Sequence, residues 1–230
     1  AAVCASMLLS ACGSSASTST TAASAETTAA EAKAEGTTAA SESAAPGDVV
    51  TINIGFENTT EEPIGQAVEK WAELLKEESN GTMELKVFAN SALGNKSKLI
   101  DQMVMGENVI TIADGAYYAD YGVPDLGILY GPFFFDDWDE VWKLIDSDWY
   151  KEQCGKLANK GLTVLGSNWV YGERELMTKD KVVVPADIKG KKIRLANSQI
   201  YVEGFNALGA TAVPMALGDV YTSLQNGTLD

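Results

Sequence analysis

Apolar and polar positions alternate between two periods along most of the chain. Val49 to Phe56 (VVTINIGF) is rich in β-branched residues and predicts a strand. Pro63 then opens a helix to about Ser79, because Ile64, Ala67, Val68, Trp71, Leu74 and Leu75 recur at helical spacing and Pro suits a first turn. Asn80-Gly81 ends it, and Met83 to Phe88 predicts a second strand. Asn95 to Met105 reads as a second helix, with Leu99, Ile100, Met103 and Val104 on one face, and Val109 to Ala113 as a third strand. This strand–helix alternation predicts a parallel sheet with right-handed crossovers.

The middle is less regular. Gly131-Pro132 and Phe133-Phe134-Phe135 precede an acidic run, Asp136 to Glu140. Two helices are expected after it, from Trp138 to Ile145 and from Asp148 to Lys160. Strands are expected at Leu162 to Val170, at Leu176 to Thr178, at Lys192 to Leu195 and at Thr211 to Pro214. Gln199 to Leu208 and Tyr221 to Gln225 read as helices, the latter capped by Gly227. Leu217 to Asp230 reads as a helix followed by the start of a strand, a pattern expected to run on past residue 230.

The beginning is of a different kind. Ala1 to Cys12 (AAVCASMLLSAC) is apolar but too short to span a bilayer, and it fits the core of a secretory signal. Leu9-Ser10-Ala11-Cys12 resembles a bacterial lipobox, in which Cys12 is acylated and becomes the mature N-terminus. Cys4 falls inside the discarded part, and Cys154 is expected to be a small buried residue. Residues 13–48 are almost all Ala, Ser, Thr, Gly and Glu, with no aromatic residue and no Ile, Leu or Met. Such a segment cannot bury enough surface to offset its ordering entropy, and as a coil it reaches roughly 30 Å between membrane and domain.

Composition removes several functions. The chain has two arginines, fifteen lysines, 32 acidic residues and no histidine, for a net charge of −15. That balance disfavours a nucleic-acid partner, since phosphate backbones reward clustered Lys and Arg. Without histidine there is no Ser-His-Asp triad, Cys-His pair or imidazole metal ligand. The acidic run Asp136 to Glu140 lacks the alternate ligands and glycine turn of a Ca²⁺ loop and suits a helix N-terminus. No phosphate loop is present. Glu57 and Asp114, each at a strand end, form a weak general acid–base pair.

The two arginines carry more information. Arg174 follows the strand expected at 162–170, and Arg194 lies within Lys-Ile-Arg-Leu. Both sit beside strands, where ligands bind in open α/β sheets, and only Arg offers a planar fork to a carboxylate. A structural pair of Arg174 with Glu173 or Glu175 competes with ligand contact.

Around these residues the chain resembles a known family. Gly190-Lys-Lys-Ile-Arg-Leu, Tyr201-Val-Glu-Gly-Phe-Asn-Ala-Leu-Gly-Ala, Val213-Pro-Met and Gly218-Asp-Val-Tyr-Thr-Ser-Leu-Gln-Asn-Gly-Thr-Leu-Asp are similar to the solute-binding proteins of TRAP (tripartite ATP-independent periplasmic) transporters of the dicarboxylate-binding type. Ser91-Ala-Leu-Gly, Gln102-Met-Val-Met-Gly and Trp169 with Gly172-x-Arg174 fit the same family, and the likeness spans about residues 49–230.

The resemblance implies a two-lobed α/β periplasmic-binding-protein-like fold with its C-terminal part missing: lobe I over 49–171, lobe II over 172–230, and a hinge near Tyr171-Gly172. It implies an extracytoplasmic receptor, not an enzyme. The receptor captures an organic acid (a dicarboxylate, hydroxy acid or sugar acid) and delivers it to TRAP membrane permease subunits. No cofactor, metal or nucleic acid is expected, and a monomer held to the membrane by lipid on Cys12 is. The family's main carboxylate-binding arginine falls on Arg194 and a second on Arg174. Trp169 is a candidate pocket wall and Asn197 a candidate hydrogen-bonding residue. Glu57, at the end of the first strand, is placed to repel a second carboxylate and to accept hydrogen bonds from hydroxyls or an amine. Tyr117, Tyr118 and Asp114 are weaker candidates. A membrane-anchored enzyme and a surface adhesin on a similar scaffold are the alternatives.

Because the core-forming pattern runs to the last residue, residues 49–230 expressed alone are expected to be unstable or aggregated and to bind no organic acid. A sharp cooperative melt of that fragment, with millimolar or better binding, overturns the expectation.

Overall fold

The computed structural model describes residues 48–230. The proposed lipobox at Cys12 and nearly all of the 13–48 spacer lie outside the described residues.

Three parallel strands form the first sheet in the order β2-β1-β3: β1 (Val50–Gly55), β2 (Met83–Phe88) and β3 (Val109–Thr111). Each crossover is helical, through α1 (Pro63–Glu78) and α2 (Lys96–Val104), as the alternation predicts. β1 is central, so Ile54 stands opposite both Val87 and Ile110. Ile54, Phe56, Val68 and Leu85 are buried together with Trp71 and Leu75 packed over them, so the apolar stripe of α1 covers the sheet. Pro63 occupies the first turn of α1, and Asn95 caps α2 by accepting from Lys98 N at 3.0 Å.

The chain then passes through a short helix, α3 (Gly115–Asp120), and a 3₁₀ segment, Pro124–Tyr130, before α4 (Trp138–Asp146) and α5 (Asp148–Ala158). The acidic run does what its position predicts: Asp137 caps α4 through Glu140 N, and Glu140 accepts from Asp136 N. Ile100, Tyr117, Val123, Leu126, Tyr150, Leu157 and Leu162 form a second core that ties these helices to α2. Cys154 is half-buried and free.

A second sheet pairs β4 (Lys192–Leu195) with β5 (Thr211–Pro214) in parallel, through α6 (Gln199–Ala207), and α7 (Val220–Gln225) follows. Ile193 and Leu195 face a third core with Ala116, Ile188, Tyr201 and Ala210. The α3 residue Ala116 belongs to this core, so α3 touches the second sheet's helix. Ser198 Oγ donates to Ala116 O at 3.1 Å, and Asp120 accepts from Gln199 N.

Three expectations need correction. Residues 162–170 form no strand: the backbone there makes no ladder bonds, and a groove of about 230 Å³ separates 161–165 from Val109 and Ile110 on β3. Thr163 and Val164 favour extended backbone, but Gly166-Ser167-Asn168 do not, and a strand also needs a neighbour within pairing distance. Leu176 to Thr178 likewise forms no strand, and Met177 is almost fully exposed. β3 stops at Thr111, because Asp114 turns the chain into α3.

One close approach explains a small residue. A Cβ at Gly65, in the first turn of α1, would lie 2.1 Å from Thr59 O. Gly155, inside α5, meets nothing within 4 Å. Gly65→Ala is therefore expected to destabilise the full-length protein by about 1–3 kcal/mol. Gly155→Ala is expected to stabilise it by about 0.5–1 kcal/mol. Chemical denaturation of both variants checks the opposite signs.

Candidate functional site

The carboxyl ends of the parallel strands bring together residues that are far apart in the sequence. Glu57 lies just past β1, Asp114 past β3, and Arg194 within β4. Asp114 caps α3, its Oδ1 accepting from Ala116 N at 3.1 Å. Its other oxygen faces two cations, Arg174 Nη2 at 3.8 Å and Lys96 Nζ at 4.0 Å, with only 14% of the Asp114 side chain exposed. Lys96 also stands over the Tyr117 ring, 5.0 Å from its centroid.

Arg174 reaches this place from an irregular segment. Gly172 has φ 108°, a left-handed conformation that glycine adopts without strain and that turns the chain between Tyr171 and Arg174. The Arg174 guanidinium sits 5.5 Å from the Tyr130 ring and 4.9 Å from the Tyr201 ring, and these two rings meet edge to face. Planar stacking of this kind suits Arg and not Lys. The expected alternative pair with Glu173 or Glu175 does not form; Asp114 takes that role.

Arg194 is held differently. Its Nε and Nη2 donate to the carbonyl oxygen of Met215 at 3.0 and 2.7 Å, which occupies one edge of the guanidinium. Among the described residues no carboxylate lies within ion-pair distance of Arg194, and the Nη1 edge has no hydrogen-bond partner. Burial lowers its pKa; Glu57 is the charge that most opposes this, while Arg174 adds to it. Glu57 itself accepts from Lys96 N at 3.5 Å, at the start of α2. With Glu57 and Asp114 thus engaged on backbone amides and cations, the acid–base pair has no structural support.

The tyrosines report the same cluster. Burial pushes Tyr117 up to about 12, with Glu57 and Asp114 adding to the rise and Arg194 and Arg174 opposing it. The Tyr117 hydroxyl therefore feels the charges of all four groups. Burial, then Asp114, also raises Tyr201 and Tyr130. The Tyr201 hydroxyl is buried and has no hydrogen-bond partner among the described residues.

The remaining candidates stand apart. Trp169 is 40% exposed and packs edge to face on Trp71 at 5.7 Å. It lines a cleft of about 420 Å³ with Asn58, Glu62, Pro63, Ile64 and Tyr171, beside α1 and not at the arginines. Within that cleft the Asn58 amide lies at hydrogen-bond distance from the Tyr171 hydroxyl, 2.8 Å from Nδ2 and 3.1 Å from Oδ1. Asn197 is half-buried after β4 and makes no side-chain hydrogen bond among the described residues. Tyr118 is turned away, donating to Ala113 O within the second core. Lys96, Tyr130 and Tyr201 were not singled out from the sequence. Lys96 is one of fifteen lysines, and the two tyrosines lie 71 positions apart, with nothing local to mark them as a pair. Among the described residues no cluster of His, Cys, Asp and Glu could hold a metal ion.

Comparison with known proteins bears on this arrangement. A model of "bacterial extracellular solute-binding protein, family 7" matches residues 54–230. The 2,3-diketo-L-gulonate-binding periplasmic protein YiaO of Escherichia coli is 32% identical over 181 residues, 78% of this chain and 55% of that protein. The C4-dicarboxylate-binding periplasmic protein DctP of Rhodobacter capsulatus is 29% identical, over 73% of this chain and 50% of that protein. The chain thus spans about half the length of the curated relatives it matches. Among solved structures, a TRAP periplasmic solute-binding protein from Ochrobacterium anthropi with bound L-fuconate is 38% identical, with a TM-score of 0.76, covering 79% of this chain and 60% of that one. One from Actinobacillus succinogenes with bound L-galactonate is 36% identical at the same TM-score and coverage.

The raised tyrosines set a pH dependence. A tyrosine whose pKa is raised on folding costs nothing below its unfolded value near 10, and destabilises the fold as pH rises from there through the folded value. Stability is therefore expected to be level up to about pH 9 and to fall between about pH 10 and 12. Melting temperature against pH, with tyrosinate absorbance followed in parallel, checks that ionisation and unfolding coincide.

Proposed function

The chain belongs to family 7 of the bacterial extracellular solute-binding proteins, and from that premise we propose that it is the receptor of a TRAP-type secondary transporter. It captures a small organic acid outside the cytoplasm and delivers it to the membrane permease subunits. It binds and releases its solute without chemistry, and works without a cofactor.

The single observation that carries this reading is Arg194. A half-buried guanidinium with one edge fixed on a main-chain carbonyl, and no carboxylate within ion-pair distance among the described residues, is a prepared position for an external carboxylate. Arg174, braced by Asp114 and two tyrosines, contributes a second positive charge to the same cleft. Asn197, three residues after Arg194, is placed to offer the ligand a hydrogen bond, and Trp169, in the separate cleft beside α1, would meet it only if the lobes close. Relatives whose names specify 2,3-diketo-L-gulonate, C4-dicarboxylates, L-fuconate and L-galactonate support an organic acid as the solute.

The finer proposals follow the same logic. Residues 49–171 form one lobe and 172–230 part of the other, with motion about Tyr171-Gly172. The receptor acts as a monomer, and lipid on Cys12 holds it at the outer face of the membrane, with residues 13–48 as its tether.

Calorimetric titration of the full-length protein with a panel of sugar acids and C4-dicarboxylates tests the anchor. Arg194→Ala is expected to cost about 2–5 kcal/mol of binding. Arg194→Lys keeps the charge but loses the fork, and is expected to bind more weakly than the parent. Equal affinity of Arg194→Lys and the parent overturns the assignment.

A further inference from the structure

The stretch that carries Arg174 is held by side chains alone. From Thr163 to Thr178 the main chain neither donates nor accepts a hydrogen bond among the described residues. The last main-chain bond before it runs from Leu162 N to Leu157 O, and the next from Lys179 N to Asp230 O. In a helix or sheet each residue adds its own bond, so this strap depends on whatever its side chains grip.

Three of them grip the first sheet's body, at alternate positions. Ser167 Oγ lies 2.7 Å from the hydroxyl of Tyr150 on α5. Trp169 meets Trp71 of α1 edge to face. The Tyr171 hydroxyl lies 2.8 Å from Asn58 Nδ2 and 3.1 Å from Asn58 Oδ1, in the loop after β1. Alternate side chains share one side of an extended chain, which is the spacing of these contacts. The alternation stops at Gly172, whose φ of 108° turns the chain, and Arg174 follows.

Arg174 has little of its own to hold it. Asp114 is 3.8 Å away, the two tyrosine rings lie 4.9 and 5.5 Å from the guanidinium, and 49% of the side chain is exposed. These contacts attract the guanidinium but do not fix the backbone that delivers it. Asn58 is fixed: its carbonyl accepts from Asn90 N at 2.9 Å, joining the loop after β1 to the turn after β2.

We infer that Tyr171 is a positioning residue: by bonding Asn58 it pins the strap just before Gly172 and so keeps Arg174 in the cleft. Gly172 turns without strain, so loss of the pin passes the freedom of the strap on to Arg174. The second positive charge then leaves the cleft for solvent. The consequence for solute capture rests on the receptor reading above; the place of Arg174 does not.

The test uses the scarcity of arginine, since residues 1–230 hold only Arg174 and Arg194. Phenylglyoxal modifies arginine side chains, and peptide mass mapping of the full-length protein gives the rate at each. Arg194, fixed on Met215 O, is the internal reference. No solute is added, so the result is independent of which acid the protein binds. Tyr171→Phe deletes only the hydroxyl of a residue that is 59% exposed, so the fold is kept. It is expected to speed modification of Arg174 about three- to tenfold, the shift that one neutral hydrogen bond supplies, and to leave Arg194 unchanged. Asn58→Ala is expected to do the same, and the double variant no more than either alone.

Equal Arg174 rates in the parent and both single variants overturn the pin. A rise at both arginines shows general loosening and overturns the positioning role. So does a parent Arg174 that reacts as fast as free N-acetylarginine. Additive effects in the double variant show that Tyr171 and Asn58 act separately, and overturn it too. None of these outcomes touches the anchor at Arg194, whose own test is the calorimetric one.

Discussion

The carboxylate of Asp114 is the point on which the cleft is assembled. It starts α3 by accepting from Ala116 N, and it faces Arg174 and Lys96 with its other oxygen. Those contacts join the end of β3, the first residue of α2 and the irregular segment that carries Arg174. Ala116, the second residue of the helix that Asp114 caps, accepts from Ser198 Oγ at the start of α6. A carboxylate this enclosed is tolerable only because amide and cations replace its water. Removing it would leave two cations unanswered and α3 without its cap. α3, which packs against α6, would then lose its start.

Much of this fold is written in local pattern. β1, β2, α1 and α2 follow from β-branched runs, helical spacing and caps such as Pro63 and Asn95, because each of those signals acts within a few residues. The misses share one cause, dependence on distant partners. Thr163 and Val164 favour a strand, but Gly166-Ser167-Asn168 do not, and no neighbour is close enough to pair with. α3 has six residues, too few for a period to show, and exists because Asp114 caps it and two cores hold Ala116 and Tyr117.

The site was legible to the extent that rarity exposed it. Two arginines among fifteen lysines, both beside strands, mark positions where a point charge would not serve. Glu57 was visible from its place after the first strand. The residues that brace these groups were not. Lys96 looks like any helix-start lysine, and only the fold brings the rings of Tyr130 and Tyr201 together at a guanidinium. Asn197 and Trp169 rest on likeness to the family, and the structure sets Trp169 against Trp71 beside α1, away from the charges.

The clasp on Arg194 has a consequence for how such a receptor drifts in evolution. The group that orients the guanidinium is the main-chain carbonyl of Met215, so no side-chain replacement at position 215 can delete it. Met215 N also bonds Leu195 O at 2.9 Å, continuing the β4–β5 register past the last paired residues. Orientation of the anchor is thus inherited from strand register and not from the Met215 side chain. Lineages could exchange solutes by altering the walls around the arginine, while its bearing stays fixed as long as the two strands keep their alignment.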